Sequence, residues 1–473
     1  MSPAEPAPYG VSRRRRRRRR ALVWGGVVVV LALVAGGATA YETGRLADWL
    51  GDSAPAAATI PGYTAPVAPT PAAVARPAAA HADDAGAVRR ALAKPLRDPD
   101  LFDLRAVVAP LTGAPLLDLG HGTSMPASTL KLLTATAALE ALGPDHTFAT
   151  RVVAAGHSGI VLVGGGDPFL GGARATSGEE RRDASLQALA GLTARALRAA
   201  GKDGVTLSYD DSLFTGPRVN PHWPKTYLPD VVSPITALWA DEGRNPSGYG
   251  READPSAAAA ALFATFLRKA GVTVAPTIHE AKARPGATEL ARVTSQPLAD
   301  IVERVLQVSD NEGAEVLAHQ VGLDVDGQAS FTGGVAGVTK TLTGLGIDLG
   351  DATIQDGSGL SRDDRLDAET LVQVLQLASS PEHPELRSVV SGLPVAAYDG
   401  SLGDRFGHSP GRGLVRAKTG TLRGTNALAG ITTDARGRVL VFAFVSNHVP
   451  TSDREDTPVA LDRLASALAT CRC

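Results

Sequence analysis

Apolar and polar positions divide this chain into segments of different character. Residues 21–40 read ALVWGGVVVVLALVAGGATA, twenty residues without a charge. A helix of that length rises about 30 Å, the thickness of a bilayer's hydrocarbon layer. Residues 41–85 lack a periodic apolar face, and 18 of the 27 residues from 54 to 80 are Ala or Pro, which predicts a semi-extended tether. Residues 104–119 hold two apolar runs around Thr112-Gly113, the pattern of a hairpin. Residues 128–142 are apolar at helical spacing, begin with a residue suited to an N-cap and stop at Gly143-Pro144.

From about 147 to 230 the period shortens to β-type runs, such as 160–163 and 205–208. Helical spacing returns at 257–269, 298–308 and 312–321. Residues 426–432 and 438–446 flank Asp434-Ala435-Arg436-Gly437, a second hairpin. No internal repeat interrupts this order. The pattern predicts an α+β fold with strands at both ends and a large β-rich insertion. Its expected boundaries are a basic segment 1–20, an apolar segment 21–40 and a linker 41–85. A domain follows in two parts, 86–150 and 293–473, split by an insertion at 151–292.

Charge settles the topology. The chain has 47 Lys+Arg against 49 Asp+Glu, but Arg13 to Arg20 is an unbroken run of eight arginines. Without that run 39 basic side chains face 49 acidic ones, so the body is acidic and no nucleic-acid partner is expected. Arginines ahead of an apolar segment stay in the cytoplasm, which places everything after Tyr41 outside. The apolar segment is then a transmembrane helix anchoring the chain in the cytoplasmic membrane. Alternatively it is a secretory signal, since Ala38-Thr39-Ala40 has the small-x-small form of a cleavage site. The two cysteines, Cys471 and Cys473, are too close to close an unstrained loop, and a frayed tail is expected there. His279-Glu280 has no histidine at 283, so the zinc pattern H-E-x-x-H is absent.

Three short motifs carry the chemistry. Ser128-Thr129-Leu130-Lys131 is S-x-x-K, Ser309-Asp310-Asn311 is S-x-N, and Lys418-Thr419-Gly420 is K-T-G. A spacing of i, i+3 puts Ser128 and Lys131 on one helix face. A serine hydroxyl attacks only when a base takes its proton, and a lysine serves when burial lowers its pKa. Arginine cannot do this, and the chain has 8 lysines against 39 arginines. The S-x-N loop supplies a hydroxyl for proton relay and an amide that donates and accepts. K-T-G, expected just after a strand, offers a cation and a hydroxyl for a carboxylate, and a glycine for close approach.

With these motifs in this order, the sequence resembles the penicillin-binding D-alanyl-D-alanine carboxypeptidases of the low-molecular-mass class C type. Ser128 and Ser309 lie 181 positions apart, which leaves room for the insertion of that subgroup. Leu162-Val163-Gly164-Gly165-Gly166-Asp167-Pro168, Asp241-Glu242-Gly243-Arg244, Asp356-Gly357-Ser358-Gly359-Leu360-Ser361-Arg362 and Leu393-Pro394-Val395-Ala396 add to the likeness, which covers about 88–470. Asp364 departs from it, since relatives often carry asparagine there; the change is read as tuning.

The resemblance implies a penicillin-binding transpeptidase/β-lactamase-like domain, an antiparallel sheet with helices. It implies a bacterial envelope enzyme acting on peptidoglycan stem peptides that end in D-Ala-D-Ala. Ser128 would be acylated with Lys131 as base, and Ser309 would pass a proton to the leaving D-alanine. Asn311 would hold the peptide, while Lys418, Thr419 and Gly420 would bind its terminal carboxylate. Backbone N–H groups of Ser128 and Thr421 would form the oxyanion hole. No metal or organic cofactor is required, and β-lactams would be covalent inhibitors.

D,D-endopeptidase action on cross-links shares this chemistry. A serine β-lactamase shares the motifs but not the insertion. A non-catalytic wall-binding homologue would have no need of an amine beside a hydroxyl. Gly407-His408-Ser409-Pro410-Gly411 matches the nucleophile elbow G-x-S-x-G, but proline after the serine and a strand beyond it make the match fortuitous. Gly164-Gly165-Gly166 lacks the K-[ST] of a phosphate loop and reads as a tight turn. Asp356-Gly357-Ser358-Gly359 also reads as a structural turn.

Overall fold

The computed structural model describes residues 84–173, 184–245, 247–453 and 455–473. The basic run, the apolar segment 21–40 and nearly all of the tether lie outside the described residues. Among the described residues no helix is long and apolar enough to cross a membrane.

Helix α1 (Ala85–Leu92) comes first, and the Asp84 carboxylate caps it by accepting from Ala87 N–H at 2.9 Å. The tether drawn to residue 85 therefore ends before Asp84, whose own N–H donates to the Cys473 carbonyl. Strands β1 (Leu104–Pro110) and β2 (Leu117–Leu119) form the first hairpin. A 3₁₀ turn, Ala127–Leu130, then leads into α2 (Lys131–Leu142). Ser128 is consequently no N-cap. Its side chain is left free for chemistry, because the turn winds the chain before the α-helix starts.

Residues 149–294 build a six-stranded mixed sheet. Its strands are β3 (Ala149–Ala155), β4 (Gly159–Val163), β5 (Gly204–Asp210), β6 (Thr273–Val274), β7 (His279–Glu280) and β8 (Glu289–Thr294). The order is β6-β5-β4-β3-β8, with β7 also paired to β5. Helical spacing predicted the helix at 257–269, but a further helix interrupts the stretch read as β-type runs. Helices α3 (Leu186–Ala199) and α4 (Pro255–Lys269) pack into the same core, contributing Leu189, Leu197, Phe263 and Leu267. Leu186, Leu189 and Leu197, with Ala190 and Ala194, form the buried stripe of α3.

The chain returns through α5 (Leu298–Val308), α6 (Asn311–Asp326), α7 (Phe331–Gly344), α8 (Ala368–Ser379) and the short α9 (Arg387–Ser391). Three strands follow, β9 (Arg416–Leu422), β10 (Thr425–Thr433) and β11 (Val439–Asn447), and then α10 (Asp456–Thr470). With the first hairpin they complete an antiparallel sheet of order β2-β1-β11-β10-β9. Central β11 shows why helices cover both faces. Val441, Ala443 and Val445 enter the core under α2, α5, α6 and α8, while Leu440, Phe442 and Phe444 alternate into a second core under α1 and α10. Each such aromatic or branched side chain contributes about 1.5–3 kcal/mol when fully buried.

The carboxyl tail is part of that second core. Cys471 and Cys473 are disulfide-bonded and buried, and the Cys471 carbonyl accepts from Ala435 N–H at 2.8 Å. The expected frayed end is thus overturned, because α10 carries both sulfurs onto apolar side chains.

Candidate active site

Helix α2 is buried on every side from Lys131 to Leu139, so its first residue places an amine in the protein interior. A buried cation is costly unless its donors are satisfied. Lys131 Nζ donates to Ser128 Oγ at 3.0 Å, Asn311 Oδ1 at 2.7 Å and the Ser358 carbonyl at 2.8 Å. Those three acceptors match the three donors of an ammonium. Burial nevertheless pulls its pKa down to about 8, against the opposing charges of Asp356, Glu315, Asp310 and Glu312. The i, i+3 spacing works here through the 3₁₀ turn, in which such side chains eclipse. Ser128 itself is half-buried and reachable.

The S-x-N motif is the junction of two helices. Ser309 ends α5 in the left-handed conformation (φ 60°, ψ 41°). Asp310 then caps α6, its carboxylate accepting from Gly313 N–H at 2.7 Å. Asn311 becomes the first residue of α6, one position earlier than the sequence pattern placed the helix, and reaches Lys131. Burial, together with Glu242 and Glu312, raises the Asp310 carboxyl to about 7. The Ser309 hydroxyl makes no hydrogen bond to Ser128 or Lys131, whose partners are those named above.

K-T-G lies inside edge strand β9, not after a strand as expected. Gly420 explains the difference. A Cβ there would stand 2.8 Å from the Pro126 carbonyl, so glycine lets the strand run on beside the Ser128 turn. Lys418 is fully buried and donates to the Thr419 carbonyl at 2.9 Å. Its amine falls well below the usual lysine range through burial and the nearby charge of Lys131. Ala417 N–H donates to Pro394, off the sheet, at 3.0 Å. By strand alternation the N–H groups of Thr419 and Thr421 point to the same outer edge, away from β10.

Two groups escaped the sequence reading. The 356–361 segment is a turn, as expected, yet its Ser358 carbonyl is a ligand of Lys131. Asp356 builds that turn: Oδ1 accepts from Gly359 N–H and Oδ2 from Ser361 N–H, both at 2.7 Å. Trp223 of the insertion also donates to Asp356 Oδ2 at 2.7 Å. The second group is Glu315, which accepts from Ser358 N–H at 2.8 Å and is pushed up to about 8, chiefly by burial. It stands four positions after Asn311, on the same face of α6, and that spacing was the available signal.

Asp364 is also fully buried. Its Oδ1 accepts from Gln355 N–H at 2.8 Å, and its carboxyl also lies against the carboxylate of Asp356. Burial and the neighbouring Asp356 raise it to about 10, so it is a neutral acid at physiological pH.

The insertion is fastened to the S-x-N helix. Ser233 N–H and the Arg251 guanidinium both donate to Glu312, at 3.2 and 2.7 Å, and Gln320 donates to the Gly165 carbonyl at 2.8 Å. The glycines at 164 and 165 are packing contacts, since a Cβ would meet Ala237 O at 2.4 Å or Ala149 O at 2.0 Å. Ser409 of the G-x-S-x-G match lies among turns ahead of β9, with its hydroxyl against Ser466 at 3.1 Å.

Known proteins resemble this chain in sequence and in fold. The sequence profile of the D-Ala-D-Ala carboxypeptidase 3 (S13) family matches residues 88–248 and 246–468. A carboxypeptidase of Mycobacterium tuberculosis is 37% identical over 405 residues, 82% of this chain and 85% of that one. The D-alanyl-D-alanine carboxypeptidase of an Actinomadura species is 29% identical, over 72% of this chain and 77% of that one. The crystal structure of penicillin binding protein 4 from Haemophilus influenzae superposes with a TM-score of 0.67 at 22% identity. It covers 82% of this chain and all of that one, so the α+β fold is the same. Motif order, fold and profile coincide over the same residues, and the chain belongs to the D-Ala-D-Ala carboxypeptidase 3 (S13) family.

Proposed function

We propose that the chain is a serine-type D-Ala-D-Ala carboxypeptidase that works on peptidoglycan stem peptides through an acyl-enzyme. The observation that carries this reading is the buried Lys131 amine, 3.0 Å from Ser128 Oγ, with a pKa brought down to about 8. Such an amine is neutral in an appreciable fraction of molecules near neutral pH and takes the serine proton. Ser128 Oγ then bonds to the carbonyl of the penultimate D-alanine. The oxyanion is received by the N–H groups of Ser128 and Thr421, the latter facing the open edge of β9. One such donor is worth about 2.7–4 kcal/mol in other serine hydrolases.

Ser309 passes the proton to the departing D-alanine amine, and water then releases the acyl group. Asn311 holds the peptide, and Lys418 and Thr419 take the terminal carboxylate beside Gly420. The carboxylate restores the charge on Lys418 that burial opposes. Residues 13–40 support a site of action outside the cytoplasmic membrane, with the apolar segment as anchor or cleaved signal.

Labelled penicillin tests the reading. A long-lived covalent adduct on Ser128, found by peptide mapping and lost in Ser128→Ala, supports it, and an adduct on another residue overturns it. Rapid release of the adduct would instead mark a β-lactamase. Incubation with a D-Ala-D-Ala pentapeptide and with cross-linked muropeptides separates carboxypeptidase from endopeptidase action.

A further inference from the structure

Thr419 does not stand alone on its strand. Its Oγ1 lies 2.8 Å from Ser401 Oγ, a residue outside all three motifs. Ser401 sits in a 3₁₀ turn, Gly400–Leu402, that is held both by the helix leading into S-x-N and by the segment paired with the start of β9. On one side Gln307, two residues before Ser309, donates to Asp399 Oδ2 at 3.2 Å. Gly400 has φ +52°, and a Cβ there would stand 2.3 Å from the Gln307 carbonyl. On the other side Asp399 Oδ1 accepts from Val395 N–H at 2.7 Å, and Val395 bridges to Arg416 at the start of β9. Leu402, next to Ser401, is fully buried and fixes the turn in the core.

We propose that Ser401 is a positioning residue that orients and polarises the Thr419 hydroxyl toward the terminal carboxylate of the peptide. The inference rests on the reading of Thr419 as a carboxylate ligand. Two hydroxyls this close share one hydrogen at a time. With no anion present, Thr419 can spend its O–H on Ser401. A carboxylate needs that O–H for itself, and Ser401 then reverses and donates to Thr419 Oγ1. The oxygen stays satisfied, and the chain of two hydrogen bonds strengthens the outer one. Because the turn touches both the S-x-N arm and the K-T-G strand, it sets the hydroxyl's distance from the reacting centre as well as its direction.

The test compares two acyl donors on the purified protein. One is an acyl-D-Ala-D-Ala peptide, which carries the carboxylate. The other is the p-nitrophenyl ester of N-acetyl-D-alanine, whose leaving group has none, with Ser128→Ala supplying the background rate. Ser401→Ala should raise KM for the peptide about three- to tenfold, the worth of one neutral hydrogen bond, with a smaller change in kcat. The ratio of ester to peptide turnover should rise by the same factor, and Ser401→Thr should restore it. Equal losses on both donors, or an unchanged KM, would overturn the inference. Thr419→Val separates the two levels. If it raises KM and Ser401→Ala does not, the role of Ser401 alone fails; if neither does, the carboxylate role of Thr419 fails with it.

Discussion

Gly359 stands against Ala127, the residue before the serine of S-x-x-K, so closely that a Cβ on Gly359 would lie 2.0 Å from the Ala127 carbonyl. Both residues are left-handed, Gly359 at φ +80° and Ala127 at φ 49°. The contact locks the Ser128 turn to the segment whose Ser358 carbonyl holds Lys131. Gly359→Ala should therefore cost about 1–3 kcal/mol through overlap, beyond its unfavourable φ. It should also slow penicillin acylation in whatever protein remains folded. Urea midpoints and acylation rates measured together check this; a variant of unchanged stability and rate would show that the contact has no such role.

The pH dependence of acylation follows from Lys131. The base form is the neutral amine, and its fraction rises as pH passes about 8. The second-order rate of penicillin acylation should increase about tenfold per pH unit below that point and level off above it. Lys131→Arg keeps the charge but cannot release a proton, so its rate should fall by about 10²–10⁴. A flat profile from pH 6 to 9 in the unaltered protein would remove Lys131 from the role of base.

The three motifs were legible because their chemistry resides in side chains at short, fixed spacings. Ser128 and Lys131 share one side of their turn, as the i, i+3 spacing implied, while the bond from Lys131 to Asn311 was not part of that pattern. The Ser358 carbonyl was not legible, because any residue presents the same main-chain oxygen and only the turn built by Asp356 aims it. The fold shows a parallel contrast. Leucine- and valine-rich α5 was plain in its periodicity, whereas α7, which holds Gly333, Gly334 and Gly337, was not among the segments assigned helical spacing. Those glycines are contacts: a Cβ on Gly334 would stand 2.8 Å from the Ala318 carbonyl of α6, and one on Gly337 3.0 Å from Val321 O. Glycine as a place of close helix approach and glycine as a breaker look alike until the partner helix is known. The Ser401 turn was hidden for a third reason, since a serine among glycines carries no pattern.

Truncation probes the domain boundary. A protein beginning at Pro77 retains Asp84, which caps α1 and bonds Cys473, while one beginning at Val88 loses both. Loss of the cap alone costs about 0.5–2 kcal/mol. The shorter protein should have a lower urea midpoint but similar activity on small peptides, because α1 packs on the sheet face opposite α2. Equal midpoints would show that the first turn of α1 contributes nothing.

Asp364 makes stability depend on pH in a direction that can be worked out. Its carboxyl is raised from 3.8 to about 10, first by burial and then by Asp356. Between those two values the folded protein keeps a proton that the unfolded chain has released. Stability from this group is therefore fully present below pH 4 and declines steadily as pH rises toward 10. Asp364→Asn removes the titration while keeping an oxygen to accept from Gln355 N–H, and it places a permanent N–H beside the Asp356 carboxylate. The asparagine variant should be the more stable form by at least about 1.4 kcal/mol at pH 8, the equivalent of one unit of pKa displacement. The two stability curves should converge toward pH 4. Urea unfolding at pH 5, 7 and 9 decides it: parallel curves for the two proteins would mean that Asp364 is ionised in the folded state, with a donor to its second oxygen.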